Sequence, residues 1–431
     1  MPLMRIWNRK KNEEAVSYRD GFFFHIDMRY IHYFNPGHEM AVLQGQPSYT
    51  APSNVHKMMK ELELLPLWYA DSQDFVLVDN PEKIEELDWP KEFGPAAYPI
   101  SADYILKRGS TLPPAIINPW GVSFHSLHMF SNLKKLSGWP LVIPQWNPAY
   151  TKLCGRQTAA LCLKRIIEIE PSVGEIVIPV FCNSLEEVYK ELKTASFPVI
   201  CKMPYSSSGR GLLWLDSSEL VTSESNWIKG ALNKQGTISI EPALNKVQDF
   251  AMEFYSNGQG TIEYKGLSLF STERRGAYSG NILESQQRLK ERLSSYLGEE
   301  LIDAVRDAVK EVLETVYGTQ YTGYLGVDML VYKDKQDNYK IHPCIEVNMR
   351  YTMGMLAVHL YERYMASNSA GRFIIDFHKK AEEAQKTHRM LQEKNPLFFE
   401  ENKLRSGYLP LCPVTENSHY IAYIMVSATC S

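Results

Sequence analysis

Lys202-Met-Pro-Tyr-Ser-Ser-Ser-Gly-Arg-Gly211 is the stretch on which the reading of this chain turns. The run before it, Phe197-Pro-Val-Ile-Cys-Lys202, has the apolar, β-branched character of a short buried strand. A strand therefore delivers a lysine into a loop of small residues. Backbone N–H groups in such a loop approach phosphate oxygens closely because glycine has no Cβ. Ser206, Ser207, Ser208 and Arg210, between Lys202 and the glycines Gly209 and Gly211, add further donors. The spacing is neither GxxxxGK[ST] nor GxGxxG, and a surface turn beside a solvated lysine has the same composition. Phosphate binding is an expectation that needs a second signal.

That signal lies further along, in Gly326-Val-Asp-Met-Leu-Val-Tyr332 and Lys340-Ile-His-Pro-Cys-Ile-Glu-Val-Asn348, which read as antiparallel strands joined by the polar turn 333–338. Glu346 and Asn348 are two residues apart and share a strand face. Asp328 stands on the neighbouring strand. Three oxygen ligands with open positions suit Mg²⁺, which takes one or two carboxylates together with nucleotide phosphates. Arg350 continues the same face and offers a cation for a phosphoryl group or a carboxylate. Ordinary amphipathic alternation on a hairpin gives the same pattern.

Around these motifs, strands alternate with helices over about 28–145: Met28 to Phe34, a helix from Ser53 to Leu65, Phe75 to Val78, and Ala115 to Asn118. This predicts a βαβ block with a parallel sheet. The Pro-rich stretch 140–148 reads as a linker, and a helix is expected from Lys152 to Ile169. Ser184-Leu-Glu-Glu187 is a capping box. Strands follow at Thr237 to Glu241 and Asp249 to Tyr255, two more within Thr261 to Thr272, then one long helical stretch from Glu284 to Tyr317. A polar helix, Lys379 to Lys394, reads as a solvated surface element.

The chain has 431 residues, enough for about three domains. Forty-six basic against 50 acidic residues give a net charge of −4, which argues against broad binding to nucleic acid or an anionic membrane. The seven cysteines form no CxxC pair, so a reducing compartment with free thiols is expected, not a disulfide framework or zinc site. No run of 18 apolar residues occurs, so no membrane insertion is expected, and the location is read as cytoplasmic. Residues 1–27 are read as a poorly ordered extension.

Taken in order, these elements resemble the ATP-grasp superfamily: an early arginine on a helix, a strand-borne lysine, a Ser/Gly loop, an acidic hinge and a late D…ExN. The resemblance covers about 150–356. The block before it resembles the pre-ATP-grasp domain found in many members. The implied fold class is α/β (α+β), with an N-terminal βα domain over 28–148, a small lid subdomain over 149–215, a large metal and nucleotide subdomain over 216–365 and a C-terminal extension over 366–431. On this resemblance Arg156 and Lys202 meet the nucleotide phosphates, and loop 206–211 is the flap over the β- and γ-phosphates. Glu241 and Leu244 form the adenine hinge, and Asp249 holds the ribose, with Glu253 as the competing choice. Asp328, Glu346 and Asn348 are the magnesium ligands, and Arg350 is the arginine of ExNxR. Some members carry an arginine two residues before the metal aspartate, where this chain has Gly326. Arg274 and Arg275 are the candidates to supply that charge, which leaves the phosphate-stabilising arginine open among these residues.

The implied cofactors are ATP and Mg²⁺, with two ions expected. The implied reaction activates a carboxylate as an acyl phosphate for attack by an amine or similar nucleophile, releasing ADP and phosphate. A kinase of the same superfamily and a non-catalytic nucleotide-binding module are the alternatives. The partners expected are small carboxylates and amines, and no nucleic acid. Asn35-Pro-Gly-His-Glu39 closes the first strand, where ligands gather in open α/β sheets. Asn35, Gly37, His38 and Glu39 are therefore candidate substrate contacts, together with Asn118 and Trp120 at the end of another strand and Tyr278 beside the arginine pair. The histidines His25, His32, His125 and His128 form no convincing ligand set.

Overall fold

The computed structural model describes residues 29–87, 93–206, 211–272 and 278–427. The extension 1–27, Met28, Ser207 to Arg210, and Arg274 with Arg275 lie outside the described residues.

Three sheets organise these residues. The first has five parallel strands in the spatial order Tyr98–Ile100, Phe75–Leu77, Arg29–Tyr33, Ala115–Pro119, Leu141–Val142. Ile31 and Ile117 face the helix Phe124–Ser137 and its neighbours, while Phe34 and Val76 face the rest of the molecule. The helix expected over 53–65 stops at Glu61, and Leu65–Trp68 tightens into a 3₁₀ turn around Pro66.

The second sheet has four antiparallel strands, ordered Val180–Cys182, Ile238–Pro242, Val199–Lys202, Leu212–Leu215. Two helices, Leu185–Thr194 and Thr222–Gln235, cover it. Ser184 caps the first of them, its hydroxyl accepting from the Glu187 amide at 3.2 Å. The Glu187 carboxylate reaches back one residue further than a standard box, to the Asn183 amide at 2.7 Å.

The third sheet has nine strands and carries the metal motif at one edge. The edge strand Tyr339–Asn348 pairs with Thr322–Lys333, which pairs with Asn245–Asn257, and then come Ile262–Thr272 and Tyr278–Leu283. The two strands expected within 261–272 are one. Alternation splits Thr322–Lys333 cleanly: Leu325, Val327, Met329 and Val331 enter the helix-covered core, and Asp328 points to the opposite face. That core includes Arg156–Ile169 and Glu299–Val316, the latter burying Ile302, Val305, Ala308, Val309, Val312 and Leu313 along one stripe. The long helical stretch read over 284–317 is two helices broken at Gly298, whose φ of 79° is a left-handed value favouring glycine. Likewise the stretch read over 152–169 begins as a short helix, Ala149–Leu153, and restarts at Arg156 after Gly155.

Residues 370–427 extend this same sheet with Ala370–Phe377, Tyr420–Ser427, Lys403–Pro410 and Phe398–Glu400. The helix Ala381–Lys394 lies on these strands and buries Ala384. Leu404, Leu409, Leu411, Ala422 and Ile424 share one core with Leu62, Leu65, Trp68 and Val76 of the first domain.

Candidate functional site

Among the described residues, Arg156 ties two of the expected segments into one site, touching both the carbonyl just after Lys202 and the hairpin residue Glu346. Asp328 and Glu346 are direct cross-strand neighbours, and Gly326 stands opposite Asn348. The Asn348 amide donates to Asp328 at 3.0 Å. Arg156 begins its helix after Gly155 and is buried; its guanidinium donates to Glu346 at 3.1 Å and to the Met203 carbonyl at 3.0 Å. Lys202, at the end of a fully buried strand, forms an ion pair with Glu241 on the adjacent strand.

Charge in this cleft is unbalanced around the acids. Burial first, then Glu346 and Glu253, push the Asp328 carboxyl up to about 8, with Arg350 and Asn348 opposing. A divalent cation relieves this arrangement, and two carboxylates plus an amide oxygen form a donor set that suits Mg²⁺. Among the described residues no three His, Cys, Asp or Glu side chains gather as a metal-ligand group.

Arg350 is held firmly. Its Nε donates to the Glu39 carboxylate at 2.7 Å, and its fork reaches the Asn348 side-chain oxygen at 2.9 Å and the Tyr351 carbonyl at 3.2 Å. Burial raises the Glu39 carboxyl, but Arg350 and then His38 outweigh it and bring it to about 2. An unbroken chain of contacts runs from the first domain, through Glu39, Arg350 and Asn348, to Asp328. Glu39 was expected to touch substrate; here it orients an arginine.

The loop after Lys202 is anchored at both described ends. The Gln235 amide accepts from the Tyr205 N–H and donates to its carbonyl, both at 2.9 Å, and the Tyr205 hydroxyl donates to the Thr151 carbonyl at 2.8 Å. The Met203 amide donates to the Gly211 carbonyl at 2.9 Å. A Cβ on Gly211 would run into the Ser206 side chain, so the two arms of the loop close against each other only with glycine there. Gln235 lies outside every motif read from the sequence, and Tyr205, though inside the Lys202 to Gly211 stretch, was given no role there.

Gly326 has a packing reason. A Cβ there would lie 2.7 Å from Thr352 and 2.8 Å from Glu253, so no arginine fits. Glu253 is buried, accepts from Ser268 at 3.1 Å and Thr352 at 2.8 Å, and is pushed up to about 7 by burial. Both of its carboxylate oxygens are taken up by these two hydroxyls. Asp249 is more accessible and is held by Lys246 at 2.6 Å and Thr272 at 2.7 Å. The Leu244 carbonyl accepts from the Lys246 amide at 2.9 Å.

At the first sheet's C-terminal edge the expected substrate residues divide. Gly37 takes φ 75°, the left-handed value the turn requires. Asn35 is committed to Gly121, donating to its carbonyl at 2.7 Å and accepting from its amide at 3.1 Å. His38 is buried over Gly121, where a Cβ would meet its ring. Asn35, Gly37 and His38 line a cavity of about 550 Å³. Asn118 and Trp120 do not: Asn118 contacts His32 at 3.3 Å, and Trp120 packs in the core against Phe34, Tyr69 and Tyr351. Tyr278 is tied to Asn281 through its hydroxyl. The cavity also takes in Tyr33, Lys60, Glu63, Asp79, Asp103 and His125, which no sequence pattern marked.

No family model matches the sequence, and no curated protein matches it. Solved structures do. A biotin carboxylase from Campylobacter jejuni, in a complex with β-γ-ATP, aligns over 93% of this chain and 88% of its own, at 13% identity and a TM-score of 0.50. An N5-carboxyaminoimidazole synthetase from Staphylococcus aureus complexed with ADP aligns over 94% of both chains at 12% identity, with a TM-score of 0.47. An L-amino acid ligase from Bacillus licheniformis covers 93% of this chain and 94% of its own at 12% identity, with a TM-score of 0.42. At such identities the likeness is one of fold, and it rests on the first of the three. Among the described residues, no helix is long and apolar enough to cross a membrane.

Proposed function

We propose that this chain, which has the ATP-grasp fold, is an ADP-forming, magnesium-dependent ligase that activates a carboxylate for attack by an amine or similar nucleophile. One observation carries this reading. Three cations from separate segments stand together with the acids: Arg156 donates to Glu346 and to the carbonyl of Met203, next to Lys202, and Arg350 donates to Asn348, which in turn donates to Asp328.

Each residue then has a task. Asp328, Glu346 and the Asn348 oxygen would hold Mg²⁺. When bound, the metal neutralises phosphate charge and fixes the phosphate oxygens in place. Arg156 and Lys202 each hold a carboxylate, and phosphate oxygens are the natural alternative partner for both cations. Arg350, fixed by Glu39, presents a rigid guanidinium to an incoming carboxylate or to the transferring phosphoryl group. Phosphoryl transfer depends on such positioning and charge neutralisation, so no side-chain nucleophile is needed. Substrate carboxylate attack on the γ-phosphorus gives an acyl phosphate and ADP, and the nucleophile then displaces phosphate.

Glu241 and Leu244 would flank adenine, and Asp249 the ribose. The number of metal ions, the contribution of Ser206 to Gly211, and that of Arg274 and Arg275 belong to the same proposal. The test is a thermal melt with and without Mg·ATP, run beside Glu346→Ala. A magnesium-dependent stabilisation of ~2.7 kcal/mol at about 100 times the dissociation constant, lost in the variant, is the expected result. Product analysis follows: ADP with an amide or related adduct supports the ligase, and ADP with a stable phosphorylated product means a kinase.

A further inference from the structure

The cavity of about 550 Å³ beside the cleft has a chemistry of its own. It lies over the C-terminal ends of the strands Arg29–Tyr33, Phe75–Leu77 and Tyr98–Ile100, and the helix Phe124–Ser137 closes its side. The chain switches direction here, since the strand after Tyr98–Ile100 joins the sheet on the far side of Arg29–Tyr33. That is where open α/β sheets receive ligands. Its size falls within the range of small-molecule sites.

The walls are sorted by character. Phe34, Ala41, Met59, Leu77, Val78 and Met129 make an apolar lining. Glu63, Asp79 and Asp103 place three carboxylates on the same cavity. Glu63 is buried, accepts from the Asp79 amide at 2.6 Å and is paired with Lys83 at 3.0 Å. Against these acids stands, among the described residues, one lining lysine, Lys60, whose exposed side chain is 3.7 Å from Asp79. Among the described residues, no arginine lines the cavity. Burial, and then Asp79 and Glu63, push the Tyr33 hydroxyl up to about 12, so it stays a neutral donor and acceptor beside them. The inner wall, Asn35 to His38, runs directly into Glu39, which holds Arg350.

The wall offers a phosphorylated ligand little: its lysine is solvated and stands near Asp79, Glu63 is already paired with Lys83, and Asp103 adds a further carboxylate. An ammonium group on an apolar body satisfies both halves of the lining. We infer that this cavity binds the organic substrate that carries a free ammonium group on a compact apolar frame, of the hydrophobic amino acid or alkylamine class. This rests on the ligase reading of the adjoining cleft.

The experiment is calorimetric titration of the whole protein with L-leucine, L-phenylalanine, butylamine, N-acetyl-L-leucine and O-phospho-L-serine. It is repeated on Asp79→Asn/Asp103→Asn, and Mg·ATP melts are run on both proteins. At least one of L-leucine, L-phenylalanine and butylamine is expected to bind, with N-acetyl-L-leucine and O-phospho-L-serine about tenfold or more weaker. The double variant is expected to weaken the amine about tenfold, leave N-acetyl-L-leucine unchanged, and keep the Mg·ATP shift. Equal binding of free and acetylated leucine overturns the inference, as does preference for phosphoserine. Failure of every amine to bind while Mg·ATP still stabilises also overturns it and leaves the ligase reading standing. Amine binding that depends on Asp79 and Asp103, with no response to Mg·ATP, supports the cavity assignment and counts against the ligase.

Discussion

Replacing Glu39 by glutamine tests whether the first domain positions the arginine of the cleft. Glutamine keeps the shape of a protonated glutamate, so its cost equals the advantage of ionising Glu39 in the folded state. The folded carboxyl lies at about 2 against an ordinary 4.5. At about 1.36 kcal/mol per unit, that gap is worth ~3 kcal/mol at neutral pH. Breaking a buried pair by removing one partner gives the same scale, ~3–5 kcal/mol. Because the folded value is depressed, the contribution is complete above about pH 4.5 and is lost as the pH falls towards 2. Urea unfolding of wild type and Glu39→Gln should therefore differ by ~3 kcal/mol at pH 7, and the curves should draw together below about pH 4.5. With its partner gone, Arg350 is also free to turn to Asp328 or Glu346, so magnesium affinity should fall in the variant. A difference under ~1 kcal/mol at neutral pH, or one that stays constant down to about pH 3, would refute the reasoning.

Three further outcomes are expected. Lys202→Ala should raise the dissociation constant for Mg·ATP by ~10–100-fold in calorimetry, on the scale of a charge-assisted contact, with the far-ultraviolet circular dichroism unchanged; unaltered affinity would remove Lys202 from the nucleotide site. Gln235→Ala should destabilise the protein by ~1–3 kcal/mol, since it strips partners from the backbone N–H and carbonyl of Tyr205, and should speed proteolysis near residue 205. Gly326→Arg should fail to give stable protein, because a side chain there meets Glu253 and Thr352, whereas room for it in a thermal melt within a few degrees of wild type would contradict the packing described.

What the sequence revealed depended on the distance over which each signal acts. The hairpin carrying Asp328, Glu346 and Asn348 was legible because period-two alternation and a polar turn are local. Lys202 and its loop were legible for the same reason. The Glu39–Arg350 pair was not, since 311 residues separate its members and no periodicity links them. The strands from Ala370 to Ser427 were missed as parts of the sheet that carries Asp328 and Glu346 because their pairing is remote, as with Asn281 opposite Phe373. Trp120 and Asn118 were placed near substrate by their position at a strand end, yet Trp120 is an aromatic core residue and the Asn118 amide contacts His32. Strand ends say where a ligand can sit, not which side chains turn towards it.

The order of synthesis gives the sheet's last strands a particular weight. The acids of the cleft leave the ribosome well before Tyr420–Ser427, which fits between Ala370–Phe377 and Lys403–Pro410 inside the sheet. Until it arrives, Trp68 lacks the full setting of its bond to the Leu411 carbonyl at 2.9 Å, and Glu61 lacks the amides of His419 and Tyr420, which it accepts at 2.7 and 2.8 Å. At ~5–20 residues per second, the roughly 280 residues that follow the first domain take ~14–56 seconds to make, and for that time the apolar face around Leu62 to Ala70 lacks these partners. A nascent chain arrested in that interval would display the surface that chaperones bind, although its cleft residues had already been made.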